Sequence, residues 1–137
     1  MTGSSQELPQ TFVIEGANIV DISSFYLEIN RVCMAGEHWQ LGETLDGLND
    51  MLYGGYGALA GNGPVTILWR DMDASRAALG VRATSAFLEQ RQSSRSQFNG
   101  QPIDDQISAL AAGCGKTYFD IVMDIFADHP RIALRSA

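Results

Sequence analysis

Four carboxylates lie in a stretch of chain without a cation: Glu37, Glu43, Asp46 and Asp50 fall between residues 32 and 69, where neither Lys nor Arg occurs. Three of them belong to the run GETLDGLNDMLYGG, Gly42 to Gly55. Carboxylates grouped in this way can act as a general acid and base, ligate a divalent cation, or meet the cations of a partner. A glycosidase-type pair must face each other across substrate. The spacing of Glu43, Asp46 and Asp50 puts all three on one side of a helix, pointing outward together. A metal site needs more ligands converging from elsewhere, and the adjacent chain adds only Glu37 and His38. Like charges one helical turn apart cost a few tenths of a kcal/mol. The run is therefore either a plain solvated face or one that waits for cations from outside.

Other residue groupings carry less chemistry. GCGKT, Gly113 to Thr117, resembles the end of a phosphate-binding loop, but Leu110 stands where the first glycine of that motif belongs. ISALAAG before it reads as helix rather than strand, so GCGKT is expected to end one helix and begin the next. Cys33 and Cys114 have neither a paired Cys nor a neighbouring His, which argues against a thiol nucleophile and against zinc. No Ser-His-Asp set can be assembled. His38 and Trp39 read as a surface His and a Trp that packs its loop onto the core. Arg82, Arg91 and Arg95, among serines, read as a solvated segment rather than an RNA contact.

With 137 residues, 45% hydrophobic and 18% charged, the chain has the composition of a single globular domain. Its net charge of −7 excludes general binding to phosphate backbones and suits a basic partner. Two cysteines predict reduced thiols and a cytoplasmic protein. MTGSSQELPQ lacks the basic and apolar regions of a signal peptide, and no apolar run is long enough to span a membrane.

The elements that must position the acids follow from periodicity. TFVIEG predicts a buried strand stopped by Gly16. In DISSFYLEINRVC, Ile22, Phe25, Ile29 and Val32 mark a helix with Asp21 as N-cap. MAGEHWQLG is an irregular connection. A second helix buries Leu45, Leu48 and Leu52, with Leu41 just before it, and ends in the glycine-rich YGGYGALAGNGP. VTILW, apolar on both faces, predicts a central strand. DMDASRAALG reads as a short helix. Within the less regular 81–116, TSAFLEQRQ and PIDDQISALAA predict helices separated by SSRSQFNGQ. Phe119, Val122, Met123 and Phe126 mark the last helix, and RIALR the last strand. Strands separated by helices imply an α/β fold with a small three-stranded parallel sheet. Residues 1–10 read as a polar tail, 11–137 as one domain, and 81–116 as an insertion before the last helix.

These pieces resemble the barstar family of small intracellular ribonuclease inhibitors. FVIEGANIVDISSFYLEI is similar to the family's first strand and helix, and VTILWRD to its second strand. GETLDGLNDML is similar to its Gly-Glu-Asn-Leu-Asp-Ala-Leu-x-Asp-x-Leu segment, while the insertion falls outside the likeness. The resemblance implies a non-enzymatic inhibitor or immunity protein with no catalytic residues, cofactor or metal. Its second helix and the preceding loop would plug the active site of a basic ribonuclease or related toxin. Asp46 and Asp50 would take the place of RNA phosphate, with Asp50 the central anchor. Gly42 would allow close backbone approach, and Glu43 would add negative field. Asn49 stands where the family usually has Trp. His38, Trp39 and Gln40 replace the aromatic before the Gly-Glu pair, Tyr53 and Gly54 follow the helix with Tyr56 beyond, and Asp124 takes the place of the acid on the last helix. The expected protein is a cytoplasmic monomer that touches neither nucleic acid nor membrane. The alternative is a barstar-like module whose partner has diverged away from nucleases or toward regulation.

Overall fold

The computed structural model describes residues 10–92 and 97–137. Most of the expected polar tail, and Arg95, lie outside the described residues. The elements run β1 (Gln10–Glu15), a 3-10 turn (Gly16–Asn18), α1 (Ile22–Cys33), α2 (Leu45–Leu52), β2 (Val65–Arg70) and α3 (Met72–Ala78). They continue with α4 (Val81–Gln90), β3 (Gln97–Phe98), β4 (Gln101–Pro102), α5 (Ile103–Ala111), α6 (Tyr118–Ala127) and β5 (Ile132–Ser136).

The sheet is parallel, in the order β1-β2-β5, so β2 is central as its sequence predicts. Val65, Ile67 and Trp69 point from β2 into the core, and the Trp69 ring meets Phe25, Phe119 and Phe126. The reading of β1 as a buried strand needs correction. β1 is an edge strand in which Ile14 is fully buried while Val13 is 36% exposed. A short apolar run does not distinguish an edge from a centre, because only the partner strands decide it.

Local chemistry fixes the crossovers. Asp21 caps α1 by accepting from Ser24 N at 2.8 Å, and the Ser24 hydroxyl accepts from Asp21 N in return. Buried Glu28 accepts from Glu15 N at 2.8 Å and Asn18 Nδ2 at 3.1 Å, and pairs with Arg31, which fastens α1 to the end of β1. Gly16 is required by space, since a Cβ there would lie 2.2 Å from Arg70 O. Beside it, the Trp69 indole donates to Ser75 Oγ at 2.9 Å and the Ser75 hydroxyl donates to Gly16 O.

GCGKT is the expected junction. Gly113, with φ of 82°, closes α5 through Gly113 N to Leu110 O and Cys114 N to Ala109 O. Thr117 then caps α6, with Asp120 completing the box. The segment from 81 is more regular than its sequence predicts. α4 begins at Val81, and Asn99 and Gly100, both at positive φ, form the two-residue turn of a β3–β4 hairpin. Leu88, Ile103 and Leu110 make a small second core, joined to the main one where Phe87 and Phe98 meet Tyr118.

Candidate functional site

α2 stands on a fixed base. The Asn30 side chain, buried in α1, clamps Leu41 through both its N–H (2.7 Å) and its carbonyl (3.2 Å). Thr44 caps the helix by accepting from Gly47 N at 3.0 Å, a contact that contributes about 1 kcal/mol. Leu48, Met51 and Leu52 are fully buried. Met51 belongs to this core although the leucine pattern did not include it.

With that face buried, Asp46 and Asp50 point to solvent, and among the described residues neither has a cation within ion-pair distance. Asp46 lies in the first turn, where the helix dipole stabilises a negative charge. Glu43 is not on the helix, contrary to expectation. The helix starts only after Thr44, and Glu43 accepts from the Ser23 hydroxyl at 3.0 Å, across to α1. Glu37 is also engaged, accepting from Gly57 N at 3.0 Å.

Aromatic side chains flank the two aspartates. Trp39, 42% exposed, lies against Tyr56 with ring centroids 4.8 Å apart, so it packs on a loop tyrosine rather than entering the core. The Tyr56 hydroxyl donates to Gly47 O at 3.3 Å. Partial burial, and then the charge of Asp50, push the Tyr56 phenol up. Tyr53 is 68% exposed and meets the His129 ring edge-on at 4.6 Å. His38 and Gln40 are exposed in the preceding loop.

The remaining candidate residues divide. Asn49 turns inward, its Oδ1 2.7 Å from Nε2 of buried His129. Burial, helped by Arg131, holds His129 below its ordinary value despite Asp128; because Oδ1 of Asn49 can only accept, Nε2 is the donor. Gly54 has φ of 93°, and a Cβ there would lie 2.3 Å from Gly61 O, so its need for glycine arises within the chain. A Cβ at Gly42 would meet nothing within 4 Å, which leaves room for an approaching backbone. Asp124, exposed on α6, pairs with Lys116.

Arg131 was missed by the sequence reading. Its guanidinium donates to Leu52 O (3.2 Å), Leu59 O (2.6 Å) and Gly63 O (2.9 Å), closing the end of α2 and the glycine-rich loop. Among the described residues, no group of three or more His, Cys, Asp or Glu side chains is placed to hold a metal. No helix there is long and apolar enough to cross a membrane.

The family model described as Barstar (barnase inhibitor) matches residues 9–102. The chain belongs to the barstar family. No curated protein matches it. The match takes in β1, α1, α2 and β2 of this barstar-family chain, and hence the whole acidic helix with its loop. It also runs through α4 and the hairpin, so the part of 81–116 up to Pro102 lies within the family match rather than outside the likeness.

Proposed function

We propose that the chain inhibits a basic ribonuclease or related nuclease toxin, with α2 and the loop before it covering the enzyme's active site. The observation that carries this reading is the pair Asp46 and Asp50, exposed and without a cation partner among the described residues, on a helix held rigidly from below. A ribonuclease site offers cations arranged for phosphate, and two fixed carboxylates present the complementary charge without a scissile bond. Trp39, Tyr53 and Tyr56 supply rigid contact area around that charge, and His38, Gln40, Gly42, Glu43 and Gly54 extend the surface along the loops. Asp124 adds a further carboxylate once a partner draws it from Lys116. The protein acts without catalysis, as a cytoplasmic monomer and immunity protein. Residues 11–137 serve as one domain, with 81–116 as an elaboration of it.

The test is inhibition of a panel of basic ribonucleases and nuclease toxin domains by the wild-type chain and by Asp50→Ala. The variant is expected to lose about a hundredfold or more in affinity, the size of a central hot-spot charge, with its thermal melt unchanged. Equal inhibition by both proteins would remove the helix from the mechanism.

One observation favours a second reading, a barstar-like module whose partner has diverged. Asn49 replaces the outward aromatic of the family and is spent on His129 inside the protein. Recovery of a non-nuclease partner by the immobilised chain, retained at high salt and unaffected by Asp50→Ala, would support it.

A further inference from the structure

A cavity of about 260 Å³ opens where the start of α2 faces α4, the β3–β4 hairpin and Tyr118. Glu43 and Asp46 line it from the α2 side, and Phe87, Arg91, Phe98 and Tyr118 from the other. Its volume lies below the ~300 Å³ at which sites for drug-sized ligands begin, and fits a single long side chain. A second hollow of similar size shares Glu43, Phe87 and Arg91 with it and leads to Asp21 at the start of α1.

The walls specify the occupant. Glu43 spends Oε1 on the Ser23 hydroxyl, and among the described residues Asp46 has no cation partner. Phe87 and Phe98 meet edge-to-face at 4.9 Å, and Phe98 stacks on Tyr118 at 6.1 Å. Tyr118 offers only its ring, because its hydroxyl shares a buried 2.5 Å hydrogen bond with Tyr26. Carboxylates opposite aromatic faces favour a cation, and a planar guanidinium over an ammonium. The chain itself shows that these rings accept one: Arg91 lies over Phe87, 3.8 Å from its centroid, and donates to Phe87 O.

We infer that this cavity receives one arginine side chain of the basic partner that the acidic helix engages, so that α4 and the hairpin select among partners. The inference rests on the reading of α2 given above. Arg91 then sets a threshold: it occupies part of the aromatic wall and opposes an entering cation, so the cavity fills only for a partner that the acidic helix also holds.

The test is an NMR titration of the full chain with N-acetyl-arginine amide, with N-acetyl-glutamate amide and inorganic phosphate as controls. Saturable shifts are expected at the amides of Glu43–Asp46, Phe87–Arg91 and Phe98–Asn99 with the arginine probe alone. Glu43→Gln should weaken them, and Arg91→Gln should strengthen them, each by about two- to fivefold, the size of one exposed charge contact. Amide dispersion elsewhere in the spectrum confirms that both variants fold. Shifts that are absent, do not saturate, or follow phosphate or glutamate and vanish in Arg91→Gln would overturn the inference. In that event, loss of nuclease inhibition in Asp50→Ala would still stand for α2 alone. Localised arginine binding by a chain that inhibits no nuclease would leave the pocket standing and remove the nuclease.

Discussion

His129 Nε2 donates to Asn49 Oδ1 at 2.7 Å, so the residue between the two outward aspartates of α2 is bonded to the chain just past the end of α6. The acidic helix is thereby held from the inside at Asn49. Tyr53, lying edge-on to the same imidazole, brings aromatic surface back one turn later. The bond fixes the orientation of the helix.

The burial of this histidine makes stability depend on pH. Burial holds folded His129 below its ordinary value of 6.5, so the unfolded chain binds more protons between the two values. The stabilisation is complete above that ordinary value and is lost as pH falls through the folded value. Urea midpoints are expected to fall between about pH 7 and about pH 5, and less so in His129→Gln, which keeps a neutral donor. An identical slope in the variant would show that His129 does not titrate on unfolding.

A second dependence appears at lower pH. Burial alone would raise the Glu28 carboxyl, but hydrogen bonds from Arg31, Glu15 N and Asn18 outweigh it and hold the group below its ordinary 4.5. Its contribution is present above that value and fades as pH falls through the folded one. Glu28→Ala removes the acceptor of Glu15 N and should cost about 1–3 kcal/mol at neutral pH. Denaturant unfolding reads this cost directly, and a change within error would count against the anchoring role.

Arg131 bridges three carbonyls of α2 and its following loop. Arg131→Met keeps the apolar stem and removes the donors, at a cost of about 1–3 kcal/mol. Hydrogen exchange should quicken at Gly54 and Gly61, whose amides close that loop by bonding Met51 O and Gly54 O. Protection equal to wild type would show that the loop holds itself.

Association with a basic nuclease should be steered electrostatically. Stopped-flow rates are expected to fall steeply with ionic strength, from as much as about 10⁸ M⁻¹s⁻¹ at low salt toward the ~10⁵–10⁶ M⁻¹s⁻¹ of unsteered docking. Asp46→Asn should lower the rate and flatten the salt dependence. A rate insensitive to salt would mean that the net charge of −7 plays no part in encounter.

Features written within a few residues were legible in advance. The Asp21 cap, the α1 stripe, the centrality of β2 and the junction at GCGKT each depend on local spacing or on one glycine, and each is present. The acidic pair was legible for the same reason, since burying the leucine face leaves Asp46 and Asp50 outside. Glu43 was misplaced because a helix starts at its cap, here Thr44, and not at the first residue with the right period. Asn99-Gly100 carried a hairpin signal that the surrounding polar residues obscured. His129 and Arg131 were not legible, because their partners are remote in the chain and spacing carries no trace of them.

Those remote partners set an order of events during synthesis. The helix that bears the acids is fastened by two residues that follow Asn49 and Leu52 by 80 and 79 positions. At ordinary translation rates they emerge roughly four to sixteen seconds after it. A nascent chain that has exposed only the acidic helix and what precedes it therefore has the Asn30 clamp and the Thr44 cap but lacks these two contacts. A break in the chain before His129 would remove both contacts while leaving the acidic sequence intact.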